Sequence, residues 1–450
     1  MNGTGVTERL ELPELRERLE DADLEALRAK VDDRLHRSGV TFGARLFAVD
    51  PVPRVIAAAE WEELRSGIVQ RMRALEAFVA DAYGAREIVR AGVLPERVLH
   101  GADHYEPELA GVQPPGGWIG VAGLDVLRGP DGRFAVVEDN VRTPSGAAYL
   151  LAAREAVDAA LGWAPPHRAD VRDALLEGLR AALRAAAPPG VEQPFAVLLT
   201  DGASNIAHWE HRFLAAALPL TLVRLEDLEL RGDRLYARRP AGHARRVDVV
   251  YRRTDEDRLR DGLGALTPVA ERLVGPWKAG TLGLVNGYGT GVADDKVAHA
   301  YAEDMVRFYL GEEPSLRSVG TYDLGDERVC AESLHRLDEL VVKPRGGYGG
   351  RGVVVGPHAE PAERERVSRA VRDDPEGHVA QETVWFSRHP TVVGDRLEPR
   401  HVDLRPLAYR AGDEVRVVPG GLTRVAFAED ELVVNSSRGG GAKDTWVLRE

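Results

Sequence analysis

The stretch VVKPRGGYGGRGVVVG, residues 341–356, constrains the fold more than any other. Two runs of β-branched residues flank glycines at 346, 347, 349, 350 and 352, and Lys343 closes the first run. β-Branched side chains favour extended backbone, and glycine admits turn conformations that other residues resist. The segment therefore reads as strand, loop, strand. Lys343 projects over a loop whose backbone N–H groups can approach an anion closely, an arrangement that suits polyphosphate. A glycine-rich hairpin with an exposed lysine is the other reading. The segment is not a P-loop, because GxxxxGK[ST] is absent and the lysine precedes the glycines.

Phosphoryl chemistry also needs a divalent cation and oxygen ligands. Candidates lie upstream, in GVQPPGGWIGVAGLDVLRGPDGRFAVVEDN, where the hydrophobic period becomes two and GPDG separates two apolar runs. That pattern predicts a β-hairpin over 118–140. Asp125 lies on its first strand; Glu138 and Asn140 lie two apart on the second and so share one face of the pleat. Three oxygen ligands from paired strands suit magnesium, and a polar strand end leading into the turn RTPSG is the competing reading. Arg142, Ser145 and Gly146 either shape a carboxylate pocket beside that metal or make the turn. Further on, Gln381 and Glu382 stand near the end of a predicted strand, where an acceptor can receive an adenine amino group or simply meet solvent.

With 450 residues and 44% hydrophobic content the chain can bury a large core, enough for two or three packed lobes. Lys+Arg 59 against Asp+Glu 72 gives a net charge of −13, the wrong sign for general attraction to nucleic acid or anionic lipid. No run approaches the roughly 18 apolar residues of a membrane span. The single cysteine, Cys330, excludes an internal disulfide framework and fits a reducing cytosol, so a cytoplasmic location is expected. It sits at an amphipathic helix start with no basic pair beside it, which marks a plain thiol.

Helical periodicity marks the first 40 residues and 59–83, hence a helical N-terminal region over 1–110. The hairpin region spans 111–165. An alanine-rich helical stretch (146–187) leads through the linker AAPPGVEQP to strand, glycine turn and helix, and a middle α/β lobe is expected over 190–290. Residues 291–450 carry the glycine loop, a helix at 361–372, the strand HVAQETV and a strand-rich tail at 401–435. The fold class is mixed, α/β with α+β lobes. Glu210, Asp255 and His208 of the middle lobe are candidate bases, or surface residues.

Lysine before a glycine loop, QE on a later strand, a DLR strand and a D…ExN set together resemble the ATP-grasp fold, whose enzymes join carboxylic acids to amines or thiols. In ordinary ATP-grasp chains the metal set follows the lysine. Here it precedes it by about two hundred residues, the order of the circularly permuted ATP-grasp (type 2) proteins of bacteria, related in arrangement to glutathionylspermidine synthetase. GLDVLRGPDGRFAVVEDNVRTPSG, YRRTDED, GTGVADDK, VDLRPLAYR, GGLTRVA and VVNSSRGGGAKDTWVL are similar to that family, and the likeness covers nearly the whole chain.

The resemblance implies a nucleotide held between two α+β lobes, and ATP with Mg²⁺ as cofactors. In this reading Lys296 and Lys343 grip the phosphates, and the loop of Gly346, Gly347, Tyr348, Gly349 and Gly350 closes over them. Gln381 and Glu382 sit near the adenine. Arg405 and Arg424 face the transferring phosphoryl group; Asp125, Glu138 and Asn140 bind one or two Mg²⁺. Arg405 and Arg424 also read as outward salt-bridge partners on strands, and Lys296 as an ordinary helix residue, although a cation at a helix start opposes the dipole. The tail Asn435, Ser436, Ser437 and Lys443 reads either as flexible or, by the resemblance, as an ordered segment near the nucleotide. The implied reaction is carboxylate–amine ligation through an acyl-phosphate, on small-molecule or peptide substrates, with neither nucleic acid nor membrane as partner. A kinase-like phosphotransferase, or a nucleotide-binding protein of little turnover, would use the same residues.

Overall fold

The structure is a computed structural model that describes residues 6–238, 243–256, 258–347, 350–428, 431, 432, 434 and 440–449. Tyr348, Gly349, Asn435, Ser436 and Ser437 lie outside the described residues.

The N-terminal leucines act as their spacing predicts. Helices Pro13–Glu20 and Leu24–Arg37 bury Leu15, Leu19, Leu24, Leu27, Val31 and Leu35, and the Asp23 carboxylate caps the second by accepting from the Ala26 N–H. The helix Ala58–Ala82 turns Trp61, Leu64, Ile68, Met72, Leu75 and Phe78 into the core. The 1–110 region is not wholly helical, however. Val49–Ile56 is a strand buried along its whole length. Its sequence, VDPVPRVI, hides the alternation behind two prolines and two buried charges, Asp50 and Arg54.

The expected hairpin is present as Val121–Arg128 and Phe134–Asn140. Its register shifts between Asp125 and Val126, so that Asp125 opposes Glu138 while Val126 opposes Val136. That bulge brings the two carboxylates across from each other.

The hairpin is part of a nine-stranded sheet drawn from both ends of the chain. Val121–Arg128 pairs antiparallel with Arg396–Arg405, through Leu404 opposite Val126, and with Leu407–Ala411. The sheet continues through Leu422–Val425 and Gly441–Val447 to Val49–Ile56, the last two running parallel. A second, four-stranded antiparallel sheet carries the glycine loop: Thr321–Asp323, His378–Glu382, Leu340–Pro344 and Val354–Val355 in that order. Helices Glu327–Leu334 and Pro361–Asp373 close a small core beneath it, in which Cys330 packs with Leu340, Val342, Val371 and Ala380. The cysteine is a packing residue.

The middle lobe is a parallel sheet in the order Gly283–Val285, Val249–Arg253, Ala196–Thr200, Thr221–Val223, with a three-stranded antiparallel sheet (Leu228–Arg231, Arg234–Arg238, Ala244–Arg246) beside it. The alanine-rich stretch forms two helices, Ala147–Leu161 and Arg172–Ala185, the first ended by Gly162 in the left-handed conformation. The fold is mixed α/β, as the sequence predicts. Among the described residues no helix is long and apolar enough to cross a membrane.

The described part of the tail, with Lys443, is a strand of the core. Gly441–Val447 is an inner strand of the large sheet, and Lys443 is buried against the Asp50 carboxylate, donating also to Pro390 O at 3.0 Å. Burial lowers the lysine's pKa and Asp50 counters that loss. Removing one partner of a buried pair leaves an uncompensated charge. Lys443→Ala is therefore expected to cost about 3–5 kcal/mol, read as a lower urea midpoint at unchanged slope; a midpoint equal to that of the parent chain would contradict the pairing.

Candidate active site

A cavity of about 710 Å³ lies between the nine-stranded and the four-stranded sheets and extends to the middle lobe. Its walls include Asp125, Glu138, Asn140, Lys296, Lys343, Gln381, Glu382, Arg405 and Arg424. The front-end carboxylates and the back-end cations are thus neighbours.

Asp125 is buried, yet it holds two arginines. Arg405 donates from Nε and Nη2 at 2.6 and 2.8 Å, and Arg424 Nη2 lies 2.9 Å away. Burial alone would raise the Asp125 pKa; the two guanidiniums outweigh it and hold the carboxyl below its usual range. Arg424 also grips Asp403, its cross-strand partner, at 2.8 Å. Burial works against the Arg424 charge, but Asp125 and Asp403 raise its pKa. These arginines face the cavity and a buried acid at once, which pre-orients their remaining N–H groups.

The donor set of Asp125, Glu138 and Asn140 consists of two carboxylates and a carboxamide, hard oxygen donors that suit magnesium. The Asn140 amide nitrogen is buried without a hydrogen-bond partner among the described residues. Among those residues no three His, Cys, Asp or Glu side chains form a metal cage, and Asp125 shares its charge with two cations. The set therefore fits an ion that arrives with phosphate oxygens and completes its shell from them.

Lys343, at the end of Leu340–Pro344, donates to Gln381 Oε1 at 2.6 Å. Burial lowers its pKa and Glu138 counters that. Lys296 opens a short helix whose N-cap, Asp295, accepts from Val297 and Ala298 N–H groups. Its Nζ donates to Gly347 O at 2.9 Å and stands 3.8 Å from Glu138, so it links the glycine loop to the metal set. Gly347 has φ +99°, a conformation side chains resist, and a Cβ on Gly346 would fall 2.5 Å from an Asp103 oxygen. Glu382 turns to Tyr322, at 2.5 Å, and to Arg336, at 2.9 Å.

At the other end, Arg142 lines the cavity, donating to Asp294 at 2.8 Å with His104 at 2.7 Å. Ser145 also lines it and accepts from Arg253 at 2.5 Å. Gly146 is not a lining residue; at φ +133° it turns the chain into Ala147–Leu161. Of the three candidate bases, only Asp255 reaches the cavity. Glu210 is buried and caps that helix instead, accepting from Gly146 and Ala148 N–H groups at 3.0 Å and from Arg253 at 3.2 Å.

Several supporting residues escape sequence reading. Asp139, between Glu138 and Asn140, faces away from the cavity and takes Arg71 at 2.6 and 2.7 Å and His299 at 2.6 Å. Arg71 also donates to Ser318 at 2.8 Å. This buried cluster ties the hairpin to the helix that carries Lys296. The available signal is an arginine inside the apolar stripe of Ala58–Ala82. Arg345, beside the loop, is held by Asp295 at 2.9 and 3.1 Å.

The model of the circularly permuted ATP-grasp type 2 family matches residues 53–426. An uncharacterized Mycobacterium tuberculosis protein is 43% identical over 96% of this chain and 80% of its own length, and an uncharacterized Synechocystis protein is 41% identical over 92% and 89%. A Frankia casuarinae protein provisionally named glutamate–cysteine ligase 2-2 is 43% identical over 94% of this chain, which spans 49% of that protein. Among solved structures, a glutathione synthetase-like effector from Globodera pallida in its apo form superposes with a TM-score of 0.56 at 13% identity, over 98% of this chain and all of that one, a likeness of fold. The chain belongs to the circularly permuted ATP-grasp type 2 family.

Proposed function

We propose that this chain is an ATP- and Mg²⁺-dependent carboxylate–amine ligase that forms an amide or peptide bond through an acyl-phosphate and releases ADP and Pi. The observation that carries the reading is the meeting of Asp125 with Arg405 and Arg424 in the cavity that also holds Glu138, Lys296 and Lys343. The provisional ligase name of the Frankia relatives agrees with this reaction class.

The apolar cluster of Leu127, Val319, Phe386 and Val434 between the two sheets offers a surface for a base. Lys343 and Lys296 neutralise the phosphates. Arg405 and Arg424 meet the charge that spreads over the phosphoryl oxygens as the substrate carboxylate attacks the γ-phosphorus and the bond to ADP breaks. A bound Mg²⁺, held by Asp125, Glu138 and Asn140, would polarise those oxygens. The amine nitrogen then attacks the acyl carbon, and the acyl C–O bond breaks with loss of Pi. Of the three candidate bases Asp255 lines the cavity, which supports it as the group that takes the ammonium proton.

Incubation with ATP, Mg²⁺, hydroxylamine and a panel of amino acids and short peptides tests the reaction. A hydroxamate with ADP and Pi is the expected product; a stable phosphorylated acceptor would instead indicate a kinase, and AMP with pyrophosphate would reject the mechanism.

Two substitutions test the site. Glu138→Gln and Lys343→Ala are each expected to lower ATP-dependent turnover by about 100-fold or more, as loss of a group that stabilises transition-state charge does. Unfolding midpoints should stay near the parent value, since both positions line a cavity. Near-normal ATP use by either variant removes that residue from the assignment.

A further inference from the structure

The Gln381 side chain lies at the seam between the two sheets that enclose the cavity. It is 4% exposed. Its Oε1 accepts from Lys343 Nζ at 2.6 Å, and its Nε2 donates to Thr321 Oγ1 at 2.9 Å and to Val137 O at 3.2 Å. Val137 is the hairpin residue next to Glu138, and it lies in the bulge that sets Glu138 against Asp125. The same seam is stitched by the backbone: Val136 N–H donates to Arg317 O at 2.9 Å and Val319 N–H to Val136 O at 2.8 Å.

A carboxamide offers two N–H donors and one oxygen acceptor. Here the oxygen faces an ammonium and the two donor contacts fix the nitrogen side, so the amide orientation follows from its neighbours. Lys343 and Gln381 stand on adjacent antiparallel strands, with Lys343 opposite Val379, two residues before Gln381. They are therefore diagonal neighbours on one face. A four-carbon lysine stem has many rotamers, and a single strong acceptor at its tip selects among them.

We propose that Gln381 is a positioning residue: it aims the Lys343 ammonium at the nucleotide phosphates and locks the lysine's sheet to the strand that carries Glu138. Adenine recognition is not its task, because its polar atoms are engaged in this cross-link. The proposal rests on the ligase reading only in taking ATP as the nucleotide.

Binding of ATP and of adenosine, each measured by competition against a fluorescent ATP analogue, separates the alternatives. Gln381→Met removes both the acceptor and the donors. It is expected to weaken ATP binding about 10- to 100-fold, the range for loss of a charge-assisted hydrogen bond, with adenosine binding within about 2-fold of the parent. Gln381→Glu keeps an acceptor for Lys343 and is expected to recover most of the ATP affinity. In turnover, the loss should appear in KM for ATP more than in kcat. Equal loss of ATP and adenosine in Gln381→Met would return the residue to the adenine and overturn the proposal. So would a Gln381→Glu variant as weak as Gln381→Met, whatever their unfolding midpoints, since a merely structural amide would give no phosphate-specific effect. If the parent chain binds ATP but forms no amide, the ligase reading fails and this inference stands. A parent chain that binds neither ligand overturns both.

Discussion

Asp125 is the constraint around which the site is organised. A carboxylate this deeply buried survives only with partners, and its two partners, Arg405 and Arg424, come from strands near the other end of the chain. Breaking a buried pair by losing one member costs about 3–5 kcal/mol, so the two strands must meet Val121–Arg128 wherever Asp125 stays charged and buried. The same two arginines are those that face the cavity. Under the proposed function, structure and chemistry therefore draw on one set of charges, and the cluster that joins the strands also supplies the cations of the site.

Around that centre the cavity alternates in sign. Lys296 stands between Glu138 and the glycine loop, Arg345 is clamped by Asp295, and Arg142 by Asp294. Lys296, Arg345 and Arg142 thus each have an acidic partner within the cavity walls. Under the proposed function, an incoming polyphosphate would compete with those partners for the same N–H groups.

Much of this was legible in the chain. The lysine and glycines of residues 341–356, the hairpin at 118–140 and the leucine stripes of the first helices appear where their local chemistry places them, because each depends on short-range rules of turn, alternation and periodicity. What local pattern could not show was partnership. Asp139 reads as one more acid beside Glu138, yet the pleat turns it to the opposite face, onto Arg71 and His299. Glu210 reads as a base and proves to cap a helix, and Lys443 reads as a tail lysine and proves to be core. In each case a charge is explained by a residue remote in sequence, and only the fold supplies it. Val49–Ile56 was missed for the same reason: its prolines and charges are tolerable in a strand only because Glu8, Ser387 and Lys443 satisfy Arg54 and Asp50 from elsewhere.

The parallel pairing of Gly441–Val447 with Val49–Ile56 has a consequence for biogenesis. A strand made early must wait, with its hydrogen-bonding edge open, until almost four hundred further residues have been synthesised. During that interval the exposed edge is a template for association with other chains. Val49–Ile56 carries two prolines and two charges in eight positions, features that discourage such pairing. The irregularity that hides this strand from a pattern search is thus also a safeguard for the nascent polypeptide.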